Sequence, residues 1–235
     1  MPEIRADKLI SQAALISRSQ AKLLIKQGRV TINGLVLTDA NAKTDTEADI
    51  RLDGQSLNYK KYRYFMMYKP AGYLSATEDS RDKTVFDLLP EEYKKLNLFC
   101  AGRLDKDSEG LLLLTNDGDF CHRIISPKSG IKKEYYVSLA KPLDENAAER
   151  FASGIELGDG TLCLPAQLEI LPGGLEALIT VSEGKYHQVK RMVRACGSEV
   201  TYLKRLAIGG LRLNELMQKG EIMELTDSDY SNIYC

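Results

Sequence analysis

The spacing of apolar positions divides the chain into a short helical opening and a longer strand-rich part. Leu9, Ile10, Ala13 and Ala14 recur at helical spacing within residues 5–14, and a second helix is predicted to open at Ser17 or Ser19 and close at Gly28. On an ideal helical wheel Ala21, Leu24, Ile25 and Gly28 share one edge, while Arg18, Lys22, Lys26 and Arg29 line the adjacent edge as a basic stripe. Between Val30 and Leu37 an Asn33-Gly34 pair separates two β-branched or aliphatic runs, a strong short-range hairpin signal. The opening therefore reads helix, helix, hairpin. The acidic, polar stretch 41–58 follows as a linker or a last edge hairpin.

Beyond residue 58 strand-like runs recur at 64–68, 98–101, 111–115, 134–139, 166–171, 177–182, 200–206 and 222–225, with helical patterns at 83–89, 118–125, 145–153 and 186–196. Strands outnumber helices without regular alternation. That predicts an α+β chain, a small N-terminal helix-helix-hairpin module (1–58 with its linker) ahead of a larger domain (59–235) on a mixed, largely antiparallel sheet.

Composition at first argues against a nucleic-acid partner, because 32 Lys and Arg face 33 Asp and Glu for a net charge of −1. Counting by segment changes that. Residues 1–43 carry +4 and residues 184–205 carry +5, whereas 44–58 and 215–230 carry −3 and −4, so the neutral total averages over patches of opposite sign. A smaller basic group, Lys128, Lys132 and Lys133, lies between them. The longest apolar runs fall far short of the roughly 20 residues of a membrane helix, and the N-terminus has neither a secretory nor a transit pattern, so a cytoplasmic protein with no membrane partner is expected. Five cysteines without a C-x-x-C spacing and two distant histidines predict reduced thiols and no metal site. No Gly-rich phosphate motif follows a strand, so no nucleotide cofactor is expected.

The most informative stretch runs from Ala101 to Gly118, where Asp105, Asp107 and Glu109 sit between an apolar strand and four consecutive leucines. From the residues alone three readings stand: a polar loop between buried strands, a calcium loop, or a carboxylate pair for hydrolysis. Against calcium, its twelfth position is Asn116 where a bidentate Glu belongs.

Two resemblances rank these readings. Residues 4–50, with the helix register, Gly28, Arg29 and the Asn-Gly turn, resemble the S-four RNA-binding module. That resemblance implies phosphate contacts from Arg5, Lys8, Arg18, Lys22, Lys26 and Arg29. Tyr68-Lys-Pro-Ala-Gly72, the Gly102-Arg-Leu-Asp105 segment through Gly118, and Glu183 to Met192 with its His-Gln-Val-Lys-Arg-Met string resemble, in this order, the three motifs of the pseudouridine synthases. His122-Arg-Ile-Ile-Ser-Pro127 and Ile208-Gly-Gly210 resemble the branch that acts on small-subunit ribosomal RNA.

The family resemblance implies isomerisation of a specific uridine in rRNA, by the branch match the uridine-516 equivalent of 16S rRNA, without cofactor, metal or redox chemistry. Asp105 is the essential carboxylate by motif, acting covalently or as a base, and Lys190 is the first choice for its cationic partner, with Arg191 as fallback and Arg103 as further company. Tyr135 matches the tyrosine that stacks on the target base. Lys69 with Pro70 is expected to form a tight supporting turn, and His187 to support the site by hydrogen bonding. Lys133, Lys185 and Arg194 complete the expected RNA contacts, with Lys190 turned inward on the same helix as Arg194. The expected partner is rRNA, free or in an assembling small subunit, and the expected state is a monomer. A non-catalytic ribosome-assembly factor, or a synthase acting on 23S rRNA, is the alternative.

Overall fold

The computed structural model describes residues 3–235. The chain divides into two compact units, Met1–Arg63 with Leu89–Leu98, and Tyr64–Leu88 with Phe99–Cys235.

The first unit contains β1 (Glu3–Arg5), α1 (Ala6–Ala13), α2 (Arg18–Lys26), β2 (Val30–Ile32), β3 (Leu35–Val36), β4 (Lys43–Asp45), β5 (Ile50–Leu52) and β6 (Gln55–Leu57), with α3 (Glu91–Lys94) from its second segment. Ser17 starts α2 through a capping box, its hydroxyl accepting from the Gln20 amide while the Gln20 side chain accepts from the Ser17 amide. The Asn33-Gly34 turn joins β2 to β3 with φ of 49° and 79°, the left-handed pair that suits a tight hairpin. The stretch left open as linker or hairpin takes the second form, because β5 and β6 pair and close the sheet order β3-β2-β5-β6. Leu9, Ile10, Ala21, Ile25, Val30 and Ile50 form its core, matching the apolar edge of the helical wheel.

Asp7, in the first turn of α1, is fully buried among three cations. Arg5 Nε and Nη2 donate to it at 3.2 and 3.0 Å, Arg18 Nη2 reaches both of its oxygens at 2.8–2.9 Å, and Lys22 Nζ lies at 3.8 Å. The Arg5 hydrogen bonds outweigh the effect of burial, with Arg18 adding to them, and hold the Asp7 carboxyl down at about 2.

The second unit contains β7 (Tyr64–Lys69), a 3-10 turn at Val85–Leu88 where a helix over 83–89 was predicted, β8 (Phe99–Ala101), β9 (Glu109–Thr115), α4 (Gly118–Ile125), β10 (Lys133–Leu139) and α5 (Ala147–Ser153). It continues through β11 (Gln167–Ile170), β12 (Glu176–Val181), α6 (Gln188–Ala195), β13 (Val200–Ile208), β14 (Leu211–Arg212), β15 (Ile222–Glu224) and α7 (Asp227–Asn232). Among the described residues the sheet runs β11-β12-β10-β13-β9-β7-β15, with β14 on β13 and β8 on β9. Every pairing is antiparallel except β13 with β9, whose parallel ladder is two residue pairs long, Lys204 with Glu109 and Arg205 with Gly110. The fold is therefore the predicted α+β arrangement on a mixed, mostly antiparallel sheet.

That short parallel ladder is a seam between two cores. Val137, Phe151, Ile179, Val193 and Leu203 belong to one, Met66, Leu111, Leu113, Phe120 and Ile208 to the other. All seven residues of β9 are buried, which accounts for its uninterrupted leucine run. At the seam Gly110 has φ of 109°, and a β-carbon there would lie 2.2 Å from the Arg205 carbonyl oxygen.

Two predictions follow from these packings. Gly110→Ala forces both a left-handed backbone and a backbone clash, so it is expected to destabilise the second unit by about 3 kcal/mol or more, read from urea unfolding. Asp7→Asn is expected to cost about 1–2 kcal/mol at neutral pH, the solvent exposure of Arg5 and Arg18 limiting the loss. Because the Asp7 carboxyl is depressed in the folded state, its contribution is full above the unfolded carboxylate range near 4 and vanishes as pH falls to about 2. The stability gap between wild type and variant should close over that window; a gap constant from pH 6 to pH 2 would contradict the assignment.

Candidate active site

The loop between β8 and β9 is pinned at four points, chiefly by buried groups. Arg205, 2% exposed, donates from Nη2 to the Gly102 carbonyl at 2.8 Å and from Nε to the Leu111 carbonyl at 2.7 Å. Ser75 Oγ donates to the Leu104 carbonyl and accepts from its amide, at 2.8 and 3.1 Å. Lys69, fully buried, donates to the carbonyls of Pro70, Lys106 and Ser108 at 3.0, 3.3 and 2.7 Å. Burial lowers the Lys69 ammonium to about 8 even though Asp107, Asp105 and Glu109 oppose the shift. Lys69 thus ends β7 and clamps the β8–β9 loop by its carbonyls, in addition to the supporting turn expected of it.

Between these anchors Asp105 projects into an open cleft of about 470 Å³, walled by Tyr135, Val181, Val189 and Leu203 and rimmed by Arg103 and Lys185. Lys190 Nζ stands 3.1 Å from Asp105 Oδ2 and 2.6 Å from Asp107 Oδ1. Burial alone would lower the Lys190 ammonium, but its bonds to Asp107 and Asp105 outweigh this and raise it. Burial likewise pushes the Asp107 carboxyl up, but the hydrogen bond and charge of Lys190, with further hydrogen bonds from the Asp107 amide and Ser108, together bring it below its ordinary value. His187 Nε2 lies 3.5 Å from Asp105 Oδ1. Of the two carboxylates lining the cleft, Glu183 is occupied by the Leu164 amide, the Gln188 side chain and Lys185. Asp105 keeps 30% of its side chain open to solvent.

A family model for RNA pseudouridylate synthase matches residues 63–195, and one for the S4 domain matches residues 4–50. The chain belongs to the RNA pseudouridylate synthase family. It is 41% identical over 230 residues to the uncharacterized RNA pseudouridine synthase YtzG of Bacillus subtilis (strain 168), covering 96% of each chain. It is 40% identical over 232 residues to ribosomal small subunit pseudouridine synthase A of Escherichia coli (strain K12), covering 98% of this chain and all of the relative. A solved structure described as a crystal structure of pseudouridylate synthase superimposes with a TM-score of 0.69 at 38% identity, covering 98% and 99% of the two chains. The enzyme is an isomerase that joins an S4 RNA-binding domain to a synthase domain.

Within the synthase domain several expected site residues take other positions. Arg191, the fallback partner of Asp105, instead pairs with Asp159 at 2.5 Å, because it points away from the cleft face of α6 that carries Lys190. Lys133, expected at RNA, is 5% exposed and donates to the Ile131 carbonyl at 2.8 Å; burial, with Arg205 nearby, lowers its ammonium to about 8. The Lys185 ammonium is engaged by Glu183 and by the Leu162 carbonyl, so its charge is matched inside the fold. Arg194 stays exposed, 3.6 Å from Glu199. Arg103 is exposed on the cleft rim.

In the S4 domain the basic stripe does have an acid to pair with: Asp7 comes from the neighbouring helix and engages Arg5, Arg18 and Lys22, while Arg29 pairs with Asp53. Lys8 and Lys26 are exposed. Among the described residues no cluster of three or more His, Cys, Asp or Glu is placed to hold a metal, and no helix is long and apolar enough to cross a membrane.

Sequence reading missed Arg205. The signal was present, since Leu203, Arg205 and Ala207 occupy alternate positions of β13 and all three are buried, so the arginine sits in the apolar phase of a strand. Tyr186, expected only as the start of the helix over 186–196, instead lies before it, since that helix begins at Gln188, and stacks on His187.

The shared ammonium leads to a prediction. Lys190→Met is expected to lower single-turnover tritium release from C5-labelled uridine RNA about 10- to 100-fold, the scale of a lost charge-assisted hydrogen bond. Lys190→Arg should recover most of that loss, and Arg191→Met should change the rate less than about threefold. Equal defects in Lys190→Met and Arg191→Met would refute the partner assignment.

Proposed function

We propose that this synthase converts one uridine of 16S ribosomal RNA, the uridine-516 equivalent, to pseudouridine, with Asp105 as its essential carboxylate. The observation that carries the reading is the pinned loop: Asp105 is the cleft carboxylate left free for chemistry, with Lys190 at 3.1 Å and Tyr135 in the facing wall. Full-length similarity to small subunit synthase A, together with the His122 to Pro127 and Ile208 to Gly210 segments, supports the small-subunit substrate.

The reaction breaks the N1–C1′ bond of uridine, forms a C5–C1′ bond, takes the proton from C5 and leaves one on N1, so no electrons are gained or lost. Asp105 has three routes open to it: attack on ribose C1′, attack on uracil C6, or removal of the ribose 2′ proton to give a glycal. In each, a carboxylate beside Lys190 is the acting group and Tyr135 stacks on the base. A stacked uridine cannot present these atoms to a cleft floor, so the nucleotide is flipped out at a cost of a few kcal/mol that backbone contacts offset. Exposed Lys8 and Lys26 of the S4 domain and Arg103 at the rim are suited to those contacts.

Asp105→Asn is expected to reduce pseudouridine formation by at least about 1,000-fold while leaving RNA affinity within about threefold of wild type. Pseudouridine mapping in rRNA from a strain lacking the protein should show one missing modification in 16S rRNA. Loss of a 23S position instead would move the substrate to the large subunit. A wild-type chain that binds rRNA and forms no pseudouridine would make it an assembly factor.

A further inference from the structure

Tyr186 is an exposed aromatic ring, set in the chain between the cleft-lining residues Lys185 and His187, that none of the steps above uses. It is 73% exposed, yet it is held in place. One face stacks on the His187 imidazole with ring centroids 3.8 Å apart and an 18° interplanar angle. His187 is itself fixed. It caps α6 in a left-handed conformation, φ 47° and ψ 34°, uncommon for a residue other than glycine, and its Nε2 lies 3.5 Å from the Asp105 carboxylate. The Tyr186 carbonyl accepts from Arg191 Nη1 at 3.4 Å, and Asp159 holds that arginine at 2.5 Å. The preceding segment 183–185 is tied to the backbone of Leu162 and Leu164 through the Lys185 ammonium and the Glu183 carboxylate. The exposed ring is thus backed by an imidazole and anchored through its own carbonyl.

We infer that the outer face of Tyr186 is a stacking platform for the nucleobase next to the flipped uridine in single-stranded RNA. The inference rests on the RNA substrate of the family and adds a recognition element to it. Three observations favour a base as the occupant. The ring is continuous, through His187, with the residue proposed to act on the target nucleotide. A planar π surface suits any base, as required of a neighbour that is held without being chemically altered. Flipping one nucleotide also leaves the adjoining base without a stacking partner on one side, and a ring stacked on a cleft-lining residue can replace it. Tyr186 is thus a positioning residue: it acts on the neighbour, and through the backbone on the register of the target over Asp105.

The test uses short single-stranded RNAs containing one uridine flanked by 2-aminopurine on one side or the other, with matched oligonucleotides abasic at the flanking position. Wild type and Tyr186→Phe are expected to quench the 2-aminopurine at one flank and to bind with equal affinity. Tyr186→Ala should bind about tenfold more weakly and lose the quenching. On the RNA abasic at that flank, wild type and Tyr186→Ala should bind alike. Unchanged thermal unfolding would show that the variant is folded, as its exposure leads one to expect. Wild-type affinity in Tyr186→Ala, or the same tenfold loss on the abasic RNA, would overturn the platform. These readouts measure binding alone, so failure of the 16S assignment would show separately, in the pseudouridine map.

Discussion

The buried guanidinium of Arg205 is the contact on which the active site depends. It sits where the two halves of the synthase sheet meet through a parallel ladder only two residue pairs long, and it binds the carbonyls of Gly102 and Leu111 on the far side. A charge removed from water is tolerated only when it is fully hydrogen-bonded and faces opposite charge. The β8–β9 loop supplies backbone carbonyls to both Arg205 and Lys69, and the carboxylates of Asp107, Asp105 and Glu109 add opposite charge near Lys69. The loop is held by its backbone, which leaves the Asp105 side chain free to face the cleft.

This division of labour explains the spacing of charges around the site. The buried cations grip the main chain, whereas Lys190, on α6, reaches the side chains of Asp105 and Asp107. Glu109 is turned away into a separate pair with Tyr202 and Lys219. Three carboxylates that look equivalent along the chain therefore have three environments: one poised in the cleft, one holding Lys190, and one locked in the scaffold.

Much of this was legible in the sequence. Alternation and helical spacing located the main strands and helices of the larger unit because most of them turn one face to one of its two cores, while β9, buried on both faces, shows as an unbroken apolar run. The motif around Asp105 marked the cleft. What the sequence could not convey was pairing across distance. The basic stripe of α2 reads as unpaired because its acid, Asp7, lies eleven positions before Arg18 on another helix. Lys133 reads as an RNA contact because strand phase does not reveal that its ammonium turns back to Ile131. Arg191 and Lys190 are neighbours in the chain but point to different partners, which helix phase alone left undecided.

The Asp7 cluster also changes what the S4 domain brings to an RNA. One buried carboxylate among three cations leaves the group net positive, so it still attracts phosphate while the side chains that carry the charge are tied in place. An arginine such as Arg18 that binds a phosphate does so by exchanging partners, in competition with Asp7. A surface built this way holds part of its positive charge at set positions in advance, so that phosphates spaced to match those positions meet cations that need little rearrangement.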